Sequence, residues 1–264
     1  MSNLLELNNI NLTYQTLKSE TKAIENVSFC VKKGEFVSIV GPSGSGKTTI
    51  LSIISGLLKA TSGNILLDGE KITGISTNVG YMFQRDNLFE WLTVLQNIKL
   101  GIKINSGKNC LSHEKLLELL RKYELSGFEK SRPFELSGGM RQRVSLIRTL
   151  ALNPKLLLLD EPFSALDYQT RLSVCEDVFS IIKAEKKTAI LVTRDISEAI
   201  SMSDKIIVLT ARPAKVKSIF SPKLTGSPLR RRENKNFGKY FEIIWKELNE
   251  WKKIRTSLPN TRYI

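Results

Sequence analysis

The sequence predicts an α/β fold. A mostly parallel core sheet carries helices on both faces, an N-terminal antiparallel β-subdomain precedes it, and a helical subdomain is inserted into it. Three observations support this. Short apolar runs at 36–40, 156–159, 189–193 and 206–209 read as buried strands, and helix-period segments separate them. Residues 4–31 alternate loosely instead, as a half-buried sheet does. Residues 87–135 hold leucines at helical spacing and no strand run.

Composition sets the outer bounds. The 264 residues suffice for one large domain or two small ones, and 41% hydrophobic content can fill a core. No stretch approaches the roughly 18 uninterrupted apolar residues of a membrane span. Residues 1–12 have no basic segment ahead of an apolar block, so no leader is expected. Cys30, Cys110 and Cys175 are too scattered for a disulfide framework or a metal knuckle, and His113 is the single histidine. Net charge is +14; from Arg212 onward fourteen Lys/Arg face four Glu, which is +10 of that total.

Taken in order, Leu5, Leu7, Ile10 and Leu12, then Ile24, Val27, Phe29 and Val31, predict an antiparallel hairpin with a polar loop near 16–22. Tyr14 opens that loop. It reads either as a strand-edge tyrosine or, beside a nucleotide site, as a ring that stacks on the base.

Next comes Gly41-Pro42-Ser43-Gly44-Ser45-Gly46-Lys47-Thr48, which fits G-x-x-x-x-G-K-S/T at every fixed position. A buried strand (36–40) precedes it. Ile50, Leu51, Ile53, Ile54, Leu57 and Leu58 continue it as a helix, with Gly56 the weak spot. The glycines let backbone N–H groups turn toward phosphate oxygens, and the helix start adds its positive dipole end. Lys47 supplies charge for the β- and γ-phosphates, and the Thr48 hydroxyl is suited to Mg²⁺. Thr49 follows in the same helix start and joins the nucleotide-binding candidates.

A turn at 61–63, a strand at 65–67 and the tight turn Asp68-Gly69 lead to a strand at 79–83, which ends at Gln84. The helical stretch that follows ends near Pro133; His113 falls near a helix start and receives no role. Leu136-Ser137-Gly138-Gly139-Met140-Arg141-Gln142-Arg143 opens another helix. It is either a plain serine-capped helix or a second anion-binding helix start. Leu156–Leu159 then lead into Asp160-Glu161-Pro162. An acid at a strand end can hold Mg²⁺, and the next acid can deprotonate a water. After Ser164-Ala165-Leu166-Asp167, a helix is expected from about Tyr168 to Ala184.

These motifs in this order resemble the ATP-binding-cassette (ABC) ATPases over about residues 4–220, and with them the ABC cassette form of the P-loop NTPase fold. The cassette domain is accordingly expected over 1–220. The resemblance implies ATP and Mg²⁺ as ligands, with Thr48, Gln84 and Asp160 at the metal. It implies a head-to-tail pair of cassettes, expected to be a homodimer. In that pair Ser137, Gly138 and Gly139 grip the γ-phosphate of the partner's ATP, and Asp167 works across the seam. Glu161 becomes the general base, and Gln84 reports nucleotide state to the helical insertion at about 87–150.

One position departs from the family pattern. Strand 189–193 should be followed by a histidine that contacts the γ-phosphate, and here Arg194 stands. Arginine keeps charge and donors but cannot give up a proton. Reduced but nonzero turnover is expected, with Arg194 counted among the catalytic candidates.

Met140, Phe163, the segment Trp91-Leu92-Thr93-Val94 and Ala211-Arg212-Pro213-Ala214 are similar to ATPases of the nitrate/sulfonate/taurine importer group, which also includes importers of vitamin precursors. The group implies separate integral membrane permease subunits, an extracellular solute-binding protein, and a peripheral position on the cytoplasmic face of the cell membrane. Two rival classes stand beside this reading: a soluble non-transport cassette acting on nucleic acid or ribosomes, and a weakly hydrolysing regulator.

Residues 221–264 are expected to form a basic linker, extended through Arg230-Arg231-Arg232, and an amphipathic helix. That helix carries Tyr240, Phe241, Ile244, Leu248, Trp251 and Ile254 on one stripe, with Lys239, Lys246, Lys252 and Lys253 around it. Three readings stay open for it: packing on the cassette, contact with anionic lipid, and nucleic-acid binding, for which the tail holds no reading module.

Overall fold

The structure is a computed structural model that describes residues 2–16, 19–105 and 110–256, with side chains through residue 249. The side chains of Trp251, Lys252, Lys253 and Ile254 lie outside the described residues. β1 (Asn3–Gln15) and β2 (Glu20–Lys32) pair antiparallel, so strand structure resumes earlier than the expected loop allowed. β3 (Phe36–Val40) leads into α1 (Lys47–Ile54). β4 (Ser62–Leu67) and β5 (Glu70–Lys71) complete a four-stranded sheet of order β2-β1-β4-β5.

β6 (Val79–Met82) belongs to a second sheet. α2 (Val94–Ile104), α3 (His113–Lys122), a single 3-10 turn at Pro133–Glu135 and α4 (Gly138–Leu150) lie between it and β7 (Leu156–Asp160). Then come α5 (Tyr168–Ala184), β8 (Thr188–Val192), α6 (Ile196–Met202), β9 (Lys205–Leu209), β10 (Val216–Phe220), α7 (Pro228–Arg232) and α8 (Phe237–Thr256). The second sheet has the order β10-β9-β3-β8-β7-β6. Its last five strands are parallel, and β10 is antiparallel to β9.

Strand alternation divides the core. Successive side chains of a strand point to opposite faces. Leu157, Leu159, Ala189 and Leu191 therefore pack with the helical layer of α2, α3, α4 and α5. Leu156, Leu158, Ile190 and Val192 pack with α1 and the inner face of the antiparallel sheet. Burial on both faces is why these strands read as unbroken apolar runs. A third cluster joins Val40, Ile206 and Val208 to α6, Leu224 and Ile244, with Phe237, Tyr240, Phe241 and Leu248 of α8 packed against it.

Two local expectations are corrected, and one strand is added. α1 stops at Ile54 and does not run on through Leu58, because Gly56 takes φ 77 and turns the chain; Leu57 is left 52% exposed. The run 221–232 is not wholly an extended linker, since α7 closes it. Arg231 there is buried: it donates to the carbonyls of Gly226, Ser201 and Ser203, and its guanidinium lies 5.1 Å from the Phe179 ring centroid. The edge strand β10 had no counterpart in the sequence reading, since its residues are only partly buried and interrupted by Lys217.

Gly56 allows a direct check. A Cβ there would lie 2.1 Å from the Gly74 carbonyl oxygen, on a backbone that L-residues rarely adopt. Gly56→Ala is expected to lower unfolding free energy by about 2–4 kcal/mol in a denaturant titration.

Candidate functional site

Parallel register brings the ends of four strands to one edge. Ile39 is level with Val192, Val192 with Asp160, and Leu159 with Met82. The loop after β3, the turn after β8, the acids ending β7 and the residues after β6 therefore emerge side by side. In parallel sheets this carboxyl edge is where ligands bind.

The loop Gly41–Gly46 is built by close approach. A Cβ at Gly41 would fall 2.9 Å from Ser45 Oγ and 3.1 Å from Leu209 Cβ, and Gly46 caps α1 in the left-handed region at φ 94. Lys47 is buried, and its Nζ donates to the carbonyls of Gly41 (2.9 Å) and Pro42 (3.0 Å). The ammonium thus sits across the mouth of its own loop. Burial lowers its pKa, Glu161 and Asp160 oppose that shift, and Arg194 adds to it. Ser45 Oγ is buried without a hydrogen-bond partner among the described residues. Pro42, Ser43, Gly44 and Thr49 complete the loop and the first turn of the helix.

Thr48 Oγ1 donates to Asp160 Oδ1 at 3.0 Å, and the Tyr81 hydroxyl donates to Oδ2 at 3.1 Å. Burial pushes the Asp160 carboxyl upward against these two bonds, and pushes the Tyr81 phenol up as well. The Thr48 hydroxyl and the Asp160 carboxylate offer hard oxygen donors, the type that holds Mg²⁺, while Gln84, also expected at the metal, is hydrogen-bonded to Ser164.

Glu161 is buried, and its backbone lies at φ 44, unusual for a residue with a side chain. Its N–H donates to Val192 O at 2.8 Å, and its carbonyl accepts from Ser164 Oγ at 2.9 Å. The Gln84 amide donates to the same Ser164 Oγ at 3.3 Å, so Gln84 and Glu161 share one partner. Arg194 Nε donates to Glu161 Oε1 at 2.7 Å. Gln84, Glu161, Ser164, Thr193 and Arg194 line a cavity of about 540 Å³.

The remaining candidates lie apart from this cluster. Ser137 caps α4 by accepting from Met140 N, while Gly138 and Gly139 have no left-handed backbone. A Cβ on Gly138 would press on Leu166 in the turn before α5, and one on Gly139 on Thr170 and Val174 of α5, so these glycines let α4 approach that segment closely. Among the described residues no hydrogen bond or ion pair joins 137–139 to the phosphate loop. Asp167 caps α5, and hydrogen bonds from Thr170 and Gln169 hold its carboxyl below the usual range. Tyr14 is exposed on β1 opposite Thr21, two residues before Ala23, whose carbonyl lies beside Gly46.

Sequence reasoning passed over two arginines. Arg141 Nε donates to Asp86 Oδ2 at 2.7 Å, and its Nη2 reaches Asp86 and Glu90. Arg148 donates to the carbonyls of Asp86 and Asn87. Burial works to raise the Asp86 carboxyl, yet Arg141 and the Leu88 N–H hold it low. The stretch after Gln84 is thereby fastened to α4. The available signal was two arginines on one helical face, at positions 141 and 148, facing an acidic loop.

Sheet edge, phosphate loop and paired acids define a nucleotide-binding P-loop protein. Residues 24–164 match the ABC transporter family. An ABC transporter ATP-binding protein of Bacillus subtilis (strain 168), YtlC, is 46% identical over 252 residues, covering 94% of this chain and 97% of the relative. An aliphatic sulfonates import ATP-binding protein, SsuB of Bacillus cereus, is 40% identical over 257 residues, covering 96% and 99%. The dimeric structure of a post-hydrolysis state of the ATP-binding cassette MJ0796 bound to ADP and Pi superposes with TM-score 0.71. It is 35% identical and covers 84% of this chain and all of its own. This chain belongs to the ABC transporter family.

Glu198, on the wall of the same cavity, gives a pH prediction. It is buried and accepts from Thr193 Oγ1, and burial raises its pKa to about 7. A carboxyl whose folded pKa is raised stabilises the fold below its unfolded value near 4.5, and that contribution is lost as pH rises through about 7. Unfolding free energy should fall from pH 5 to pH 8 by on the order of 2 kcal/mol more in the parent than in Glu198→Gln, measured by denaturant titration at both pH values.

Proposed function

We propose that this chain binds ATP with Mg²⁺ and hydrolyses it, as the ATP-binding subunit of an importer of the nitrate, sulfonate and taurine type. The observation that carries the reading is the junction of Lys47, Thr48, Asp160 and Glu161 at one sheet edge, with Thr48 bonded to Asp160. Backbone N–H groups of residues 43–48 and the start of α1 suit the phosphates, and the Lys47 ammonium transfers from its loop carbonyls to the β- and γ-oxygens. Thr48, Asp160 and Gln84 would hold Mg²⁺, which when bound neutralises charge on the phosphate oxygens.

Glu161 accepts a proton from the attacking water. The water oxygen bonds to the γ-phosphorus, the bond from that phosphorus to the bridging oxygen breaks, and ADP and phosphate leave. Ser137, Gly138 and Gly139 serve the nucleotide of a second copy, in a head-to-tail homodimer with Asp167 at the seam. Their lack of hydrogen bonds to the phosphate loop of their own chain, among the described residues, supports that assignment. Tyr14, near Gly46 across β2, would stack on the base.

No described helix is long and apolar enough to cross a membrane. In this reading transport runs through separate permease subunits, with this chain on their cytoplasmic side and an extracellular solute-binding protein delivering cargo. Phe89 and Trp91, with ring centroids 5.0 Å apart and Trp91 69% exposed, offer an apolar docking point for a permease. They flank Glu90, which Arg141 holds together with Asp86, so nucleotide-driven shifts at Gln84 would reach them. The sulfonate relative supports the importer group.

Two outcomes check this. Glu161→Gln should lower kcat for ATP hydrolysis by at least about 100-fold while ATP binding persists, read by phosphate release and nucleotide titration. Trp91→Ala should leave ATP binding intact and weaken co-purification with the permease by roughly tenfold, as truncating a central aromatic anchor does.

A further inference from the structure

Arg194 and Glu161 are brought together by the backbone. Asp160 on β7 is level with Val192 on β8, and the Glu161 N–H donates to Val192 O. The residues one and two positions past that register point, Glu161 and Arg194, therefore leave neighbouring strand ends into the same cavity. Glu161 has 9% side-chain exposure and Arg194 has 62%. A buried carboxylate is thus paired with a cation that reaches in from solvent.

Only Nε of the guanidinium is spent on Glu161. The side chain as a whole is mostly exposed and lines the cavity beside Gln84 and Ser164. Lys47 senses Glu161, Arg194 and Asp160 together, so these charges share one neighbourhood at the phosphate loop. An arginine stays charged at any working pH, so the pair does not dissolve by losing a proton. With its arginine mostly exposed, the pair is weak enough for another anion to take the guanidinium. The γ-phosphate of a bound nucleotide is such an anion, and arginine recognises phosphate as readily as carboxylate.

We infer that Arg194 is a latch on Glu161: it holds the base in an ion pair that must be exchanged for a γ-phosphate contact before water can be deprotonated, and this exchange limits turnover. The latch rests on Glu161 being the base. While the pair stands, Oε1 accepts from the arginine N–H and the carboxylate is held in the orientation that this bond sets. In this account Arg194 acts through Glu161 before the exchange and on the γ-phosphate after it.

The test is steady-state ATP hydrolysis by the parent, Arg194→Ala, Arg194→His, Arg194→Lys, Glu161→Gln and the double variant Arg194→Ala/Glu161→Gln, with ATP binding measured separately by nucleotide titration. Removing the latch should raise kcat by about fivefold, the rate equivalent of breaking one partly exposed ion pair per turnover. KM should move by less than about twofold, since the gain lies after binding. Arg194→Lys, which restores a cation beside the carboxylate, should cancel most of that gain, and the double variant should be as inactive as Glu161→Gln. A kcat for Arg194→Ala and Arg194→His at or below the parent's, with ATP still bound, overturns the latch and leaves the ATPase reading standing. Glu161→Gln hydrolysing as fast as the parent overturns the base assignment itself, and the latch with it.

Discussion

A carboxylate taken out of water is costly unless donors meet it. Asp160 is buried, and two hydroxyls meet it, Thr48 from the start of α1 and Tyr81 from β6. That pairing fixes much else. It draws the first turn of α1 against the end of β7, which sets Lys47 across the loop 41–46. It also ties β6 to the site, so that Gln84, two residues past Met82, emerges next to Ser164. The parallel register of β6, β7, β8 and β3 is the scaffold on which these contacts depend, since a slip of one residue would turn the side chains to the opposite face.

From this edge the contacts lead outward in one direction. Gln84 shares Ser164 with Glu161, and two residues later Asp86 is gripped by Arg141 and Arg148 of α4. Arg141 reaches on to Glu90, next to the exposed Trp91. Charge-assisted bonds of this kind are short and directional. They make the stretch 84–91 a firm bridge between the nucleotide edge and the helical layer. Although the chain carries +14, the arginines that form this bridge are paired with acids or carbonyls, and Arg231 in the tail is interior as well.

The strand, loop and helix start of 36–54, the strand that ends in Asp160 and the other core strands were legible because their local patterns demand fixed residue types at fixed spacing. Buried strands declare themselves through apolar runs, and β3, β7 and α5 begin where the sequence placed them. What the sequence concealed depends on three-dimensional neighbours. Nothing in Asp160-Glu161-Pro162 announces a left-handed Glu161, and nothing near Arg194 names a residue 33 positions earlier as its partner. Gly139 looked like an exposed backbone donor, whereas packing against Thr170 and Val174 already requires it to be small. Gly56 ends a helix whose apolar spacing runs on past it, because backbone conformation overrides periodicity there. Of three consecutive arginines, only the tertiary setting selects Arg231 for burial.

The most direct test of the central claim is calorimetric titration of the parent and Lys47→Ala with ATP in the presence of Mg²⁺, with adenosine as the control ligand. If residues 41–48 hold the phosphates, the parent binds ATP far more tightly than adenosine, and Lys47→Ala loses most of that difference. Equal ATP affinity in the two proteins, or equal affinity of the parent for ATP and adenosine, would contradict it.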